Sequence, residues 1–244
     1  MPHCGTIYGM LPLLLLAVST VVAQPAAPAF TQRTFKAPDG SLVRYGLSVP
    51  GNYDRSQPRP LVVALHPGSD GSPFYGAAMM RSFFLPGLSE LAPIMIAPDA
   101  PGGTWTDARA EEAVLALMTA VTDEFAIDRR RILVVGFSLG GRGVWYLSAR
   151  HADRFTGAIV MAGRTQEPTA DLAKIPTYMI HSRNDQVVPF DQAEERARAL
   201  EQMGRPVRFE ALAGVGHYQM GGYISALQRA GRWVSEQWTR RPAP

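Results

Sequence analysis

Residues 136–140 read Gly136-Phe137-Ser138-Leu139-Gly140, with Gly141 directly behind them. Ahead of this turn lies Arg131-Ile132-Leu133-Val134-Val135, a short β-branched run of buried-strand type. Behind it, residues 141–150 are compatible with a helix. A serine between glycines at a strand-to-helix junction constrains the fold strongly, because the chain must reverse within a few residues. Glycines on either side remove the Cβ atoms that would collide where strand and helix meet. The serine hydroxyl is then pushed out at the carboxyl end of a sheet. The first amides of the following helix point at the same spot, where they favour negative charge.

The rest of the chain supplies a sheet for that turn. Residues 33–37 and 42–49 read as two strands joined at Asp39-Gly40, a hairpin signal. Leu61-Val62-Val63-Ala64-Leu65 and Pro93-Ile94-Met95-Ile96-Ala97 are buried strands. Thr106 or Asp107 is placed to cap a helix whose Val114, Leu117, Met118, Val121 and Phe125 form one apolar face. Strands at 157–161, 177–180 and 207–212 follow. Asp191 with Glu194 has the spacing of a capping box for a helix ending near Gly204, and an amphipathic helix spans 223–238. Strands alternating with helices predict an α/β domain with a mostly parallel sheet, helices on both faces and an antiparallel N-terminal hairpin. About a dozen residues separate the strand ending at Met161 from the one starting near Thr177, which leaves no room for a large lid.

The start of the chain is of another kind. Residues 10–22 are almost wholly apolar, with four consecutive leucines, too short for a comfortable membrane span. Val21-Val22-Ala23 before Gln24 resembles a small-residue cleavage site, although residues 1–9 hold no Lys or Arg. The expectation is a signal peptide over 1–23, an Ala/Pro-rich flexible leader over 24–31 and a catalytic domain over 32–239, in a secreted or periplasmic protein. The alternative is an uncleaved anchor. The single cysteine, Cys4, falls in the segment to be removed, which excludes a thiol nucleophile, a thiolate metal site and a disulfide scaffold. Net charge is +3, and the one basic run, Arg129-Arg130-Arg131, reads as a solvated junction between a helix and a strand, without the interleaved aromatics that would suggest nucleic acid.

A serine hydroxyl needs a base within reach, and the base needs an acceptor to hold its tautomer. Where the nucleophile sits on such a turn, the chain order is Ser, then Asp or Glu, then His. Asp185 follows the strand at 177–180, and His217 follows the last strand within Gly214-Val215-Gly216-His217-Tyr218. Both stand at carboxyl ends of strands, where open α/β sheets place their sites. Asp171 precedes its strand, and Asp191 is committed to a helix cap. Of the other histidines, His3 goes with the signal, His66 precedes the serine, His151 is a helix-end residue and His181 a buried packing residue. An oxyanion needs two donors. The N–H of Leu139 is one candidate. Gly68 is the other, since Pro67 has no N–H. Trp105, His66 and Tyr75 stand near strand ends that flank the cleft and are candidate pocket residues, while Trp145 is assigned to packing. Phe74, Met79 and Met80 are placed with them in loops.

Taken together, Leu65-His66-Pro67-Gly68, Asp128 to Ile132 leading into Gly136 to Gly141, Gly143, Trp145, Asp185 with Val188-Pro189, and Gly216-His217 resemble the α/β-hydrolase superfamily. Over residues 35–238 the pattern is similar to lidless carboxylesterases and acyl-thioesterase-like families and to the feruloyl-esterase and polyhydroxybutyrate-depolymerase-like group. His66-Pro67 replaces the His-Gly of that pattern, and the cysteines of the depolymerase-like group are missing after residue 4. The resemblance implies a serine esterase that cleaves small or polymer-derived carboxylic esters through an acyl-enzyme on Ser138, without metal or organic cofactor. It implies no nucleic acid partner and no stable membrane insertion after cleavage; the oligomeric state stays open. Two other readings are a peptidase or thioesterase of the same fold, and a catalytically inert member that only binds.

Overall fold

In the computed structural model, residues 1–3 and 27–240 are described. Residues 4–23 of the expected signal peptide and the first residues of the leader therefore lie outside the described residues. Eight strands form one sheet in the order β1-β2-β4-β3-β5-β6-β7-β8. They are β1 (Ala29–Lys36), β2 (Leu42–Val49), β3 (Arg59–Leu65), β4 (Ile94–Pro98), β5 (Ile127–Phe137), β6 (Gly157–Met161), β7 (Thr177–Ser182) and β8 (Val207–Leu212). β2 runs antiparallel to both β1 and β4, and every other pair is parallel. The principal helices are α1 (Tyr75–Met79), α2 (Leu85–Leu88), α3 (Ala108–Glu124), α4 (Leu139–Arg150), α5 (Phe190–Gln202) and α6 (Ile224–Arg240). This is the α/β-hydrolase fold, and the β6–β7 connection carries only a single 3-10 turn, Thr169–Asp171.

Alternation along the central strands divides the core in two. Leu61, Val63 and Leu65 of β3 and Ile132 and Val134 of β5 face Val114, Leu117 and Val121 of α3, Val144 and Leu147 of α4, and Leu200 of α5. Val62, Ala64, Leu133 and Val135 face the other way, onto Met80, Phe84, Leu88 and the α6 residues Leu227, Ala230 and Val234. Strands apolar on both sides are what a doubly covered parallel sheet requires.

Four local expectations need correction. First, residues 75–80 are not loop, whereas Phe74 does lie in a turn. α1, a π-helical turn at Met80–Phe84 and α2 form the crossover that parallel pairing of β3 with β4 demands, and Met79 and Met80 are buried in the core. Short helices interrupted by a proline at 86 and a glycine at 87 carry too little periodicity to be read as one helix. Second, Asp191 and Glu194 do not form a capping box. The helix begins at Phe190 behind Pro189, with no side-chain cap. Asp191 lies exposed in the first turn, and Glu194 instead pairs with Arg198 at 2.8 Å. Third, β1 begins at Ala29, inside the segment expected as leader. Ala29, Phe30 and Thr31 pair with Val49, Ser48 and Leu47, and the Phe30 ring lies under the Arg81 guanidinium. Fourth, Arg129 to Arg131 belong to β5, whose first half pairs with β3 only at Arg59 before a register shift. Asp107 is the α3 cap, its carboxylate accepting from the Ala110 amide.

Candidate active site

The elbow is built by close backbone approach. Ser138 has φ 54° and ψ −112°, a conformation that L-residues adopt only under constraint. The constraint comes from both sides: the Ser138 amide donates to Met161 O at 2.9 Å, and its carbonyl accepts from the Arg142 amide at 2.9 Å. At Gly140 a Cβ would stand 1.9 Å from Leu65 O, and at Gly136 one would stand 2.3 Å from the Gly140 carbonyl. The first turn of α4 therefore rests directly on the end of β3, which no larger residue permits.

The three residues expected to act together meet here. His217 follows β8 and is buried; its Nε2 is 2.9 Å from Ser138 Oγ, and its Nδ1 is 2.7 Å from Asp185 Oδ2. The Phe137 and Tyr218 rings pack against the imidazole, with centroids at 5.3 Å and 5.4 Å. The other oxygen of Asp185 accepts from the amides of Val187 and Val188, each at 2.8 Å. Burial pushes the Asp185 carboxyl up, but the His217 bond and the two amides outweigh it and hold it below the ordinary carboxylate value. An ionised Asp185 fixes the tautomer: Nδ1–H donates to it, and Nε2 is left to accept from the serine. Asp171 lies at the opposite end of β7, paired with Lys174 at 3.1 Å.

His181 is buried beside this group. Its Nε2 is 2.9 Å from Val188 O and 3.5 Å from Asp185 Oδ2. Burial lowers its pKa, so the neutral ring donates to Val188 O and braces the loop that carries Asp185. His151 ends α4, bonded to Glu111 at 2.6 Å.

Gly68 stands exposed just past β3, with no backbone acceptor for its amide among the described residues. Leu139 is the first residue of α4, whose amide has no partner inside the helix. The contact of Gly140 with Leu65 and His66 carbonyls brings these two segments side by side.

The expected pocket residues fall elsewhere. Trp105 is fully buried: its indole N–H donates to His66 O at 3.0 Å, and its side chain fills the space that a Cβ at Gly143 would need. His66 is equally enclosed. Its Nε2 accepts from the Ala100 amide at 3.0 Å and its Nδ1 faces Pro67 O at 2.5 Å, while burial keeps the ring neutral by lowering its pKa. Tyr75 is half-buried, edge-on to His66 at 5.0 Å. These residues tie the loop after β3 to the loop after β4 and do not line the cleft.

The cleft at Ser138 has about 180 Å³ and is lined by Ser138, Leu139, Arg142, Arg164, Val187 and Val188. Arg164 and Val188 also border a smaller enclosed space of about 50 Å³ that reaches back to His181 and the buried Trp145. The sequence reading missed both arginines. A usable signal existed for each: Arg142 lies one turn after Ser138, and Arg164 follows the carboxyl end of β6.

Fold and geometry define an α/β-hydrolase of the kind found among serine esterases. The family model described as "Dienelactone hydrolase family" matches residues 100–220. The chain is 27% identical over 164 residues to "Probable feruloyl esterase C" of Aspergillus niger, 63% of this chain and 58% of that protein. It is also 27% identical over 158 residues to "Feruloyl esterase C" of Emericella nidulans, 60% of this chain and 56% of that protein. The matches thus span little more than half the length of these relatives. Among solved structures, a thermostable esterase is 25% identical with a TM-score of 0.69, covering 85% of this chain and 62% of the other. A ferulic acid esterase with a TM-score of 0.69 at 16% identity, covering 86% and 98%, shares the fold.

Proposed function

We propose that the protein is a serine carboxylic-ester hydrolase. The observation that carries this reading is the continuous hydrogen-bonded line from Ser138 Oγ through His217 to the buried Asp185. Ser138 attacks the ester carbonyl while His217 Nε2 takes its proton. The tetrahedral oxyanion is held by the amides of Leu139 and Gly68. His217 then protonates the leaving alcohol, and an acyl-enzyme forms on Ser138. Water, deprotonated by the same nitrogen, attacks this acyl group and releases the acid. Asp185 stabilises the imidazolium at each transfer without taking the proton.

The names of the relatives point to aromatic acyl esters as the first class to try. Labelling by a fluorophosphonate probe, followed by hydrolysis of methyl ferulate beside nitrophenyl esters of rising chain length, tests the proposal. A serine that neither labels nor turns over any ester would favour a fold that only binds. Export rests on the apolar run at 10–22 and is tested by intact mass: a secreted form should begin near Gln24. A mature mass that includes Met1 would point to an anchor instead. Among the described residues no helix is long and apolar enough to cross a membrane.

A further inference from the structure

The two arginines of the Ser138 cleft have an unusual balance of partners. Arg142 Nη2 donates to Gln166 Oε1 at 3.1 Å, a neutral acceptor that orients the guanidinium without cancelling its charge. Arg164 has no hydrogen-bond or carboxylate partner among the described residues and stands exposed at the rim. The acids nearby are committed elsewhere: Glu167 to Arg150 at 2.8 Å, Asp185 to His217, and Glu194 to Arg198. The positive end of α4 adds to the same field. Apart from Ser138 and the arginines, the lining is apolar, made by Leu139, Val187 and Val188.

This arrangement has a size and a polarity. At about 180 Å³ the cleft is smaller than the roughly 300–1,000 Å³ of drug-sized sites and admits a chain of a few carbons. Arg142 lies in the first turn of α4, its amide donating to the Ser138 carbonyl at 2.9 Å, and its side chain lines the same cleft as Ser138. An acyl group bound at Ser138 with its carbons on the valines would end between the two guanidinium groups. A planar fork of N–H donors matches a carboxylate at two points.

Resting on the esterase reading, we propose that this cleft selects esters whose short acyl chain ends in a carboxylate, held between Arg142 and Arg164. The probe pair is monomethyl succinate and methyl 4-methylpentanoate, which share one heavy-atom shape and differ in charge. Followed by methanol release at low salt, kcat/KM should favour the succinate by about tenfold or more, as charge-assisted bonds imply. The preference should shrink with added sodium chloride. It should collapse in the Arg142→Gln/Arg164→Gln double variant, and Gln166→Glu should weaken it by placing a carboxylate on Arg142. Calorimetry on the Ser138→Ala protein reads the same site without turnover: monomethyl succinate should bind more tightly than the neutral ester, and not after both arginines are replaced. A ratio of one or less, a ratio indifferent to the double substitution, or equal binding of the two esters would overturn the proposal. Fluorophosphonate labelling separates the two readings. Labelling with no preference for the anion sinks the carboxylate site alone. Preferential binding of the anion without labelling sinks the esterase and leaves the site standing.

Discussion

Asp185 Oδ2 stands 2.7 Å from His217 Nδ1 across 32 residues of chain, and the opposite edge of the same carboxylate is filled by the amides of Val187 and Val188. The carboxylate is therefore held from both sides before any substrate arrives. In Asp185→Asn the amide oxygen can keep the two loop amides while its NH₂ group faces Nδ1. The imidazole would then carry its proton on the nitrogen facing Ser138. Turnover of an ester near neutral pH should fall about a thousandfold or more. Asp171→Asn and Asp191→Asn, measured in the same assay, should stay near wild type. Loss of turnover in either of these with an active Asp185→Asn would require a different acid.

Ser138 itself is a site of stored strain, with φ 54° and ψ −112°. Ser138→Ala and Ser138→Gly should both abolish hydrolysis, but they should differ in stability. Glycine relieves the backbone conformation and alanine does not, so the glycine variant should be the more stable by about 1 kcal/mol or more. Thermal denaturation of the two inactive proteins makes the comparison. A glycine variant less stable than the alanine variant would show that the conformation costs little.

Gly140 is the position where α4 meets β3. A methyl group there would sit 1.9 Å from Leu65 O and 2.8 Å from His66 O, against backbone that cannot turn aside. Gly140→Ala should cost about 3 kcal/mol or more, or prevent accumulation of folded protein. Gly68→Ala, whose added Cβ meets nothing within 4 Å, should fold normally. Chemical denaturation of both variants checks the contrast, and equal midpoints would contradict it.

The pH dependence of stability has a defined sign. Burial lowers the pKa of His66 and of His181 below the ordinary 6.5. Below that value the unfolded chain takes up protons that the native rings resist, so the unfolded state binds more protons and stability rises with pH. The contribution is complete above 6.5 and is lost as pH falls toward the depressed native values. Asp185 acts in the same direction at lower pH, with stability lost as pH falls from its ordinary 3.8 through its lowered native value. Melting temperature should drop between about pH 7 and about pH 5, and a His181→Gln variant should flatten part of that drop. A melting temperature that rises on acidification over this range would refute the assignment of both rings as neutral.

Much of this molecule is legible from short stretches of chain. The β-branched runs of β3, β4 and β5 and the glycines around Ser138 are local signals, because a buried strand and a tight reversal each demand particular residues at adjacent positions. Chain order then places Asp185 and His217 at strand ends, since topology restricts which loops reach a given edge of the sheet. The capping-box reading of Asp191 failed for a local reason as well. Pro189 starts the helix at Phe190, one residue before the side chain that was to cap it.

The walls of the cleft could not be read in the same way. Trp105 and His66 sit on loops beside the site and Tyr75 opens α1 next to them, and from the chain alone each qualifies as lining. Packing decides otherwise, because the missing Cβ at Gly143 admits the indole into the core and His66 is locked between Pro67 and Ala100. The chain by itself determined the turn, the strands and the order of Ser138, Asp185 and His217, all set by nearest-neighbour sterics and by the periodicity of apolar residues. Tertiary structure alone decided that Arg142 and Arg164 face the serine and that Trp105 does not. Exposure depends on which distant atoms occupy the space around a side chain, and that is a property of the packed molecule.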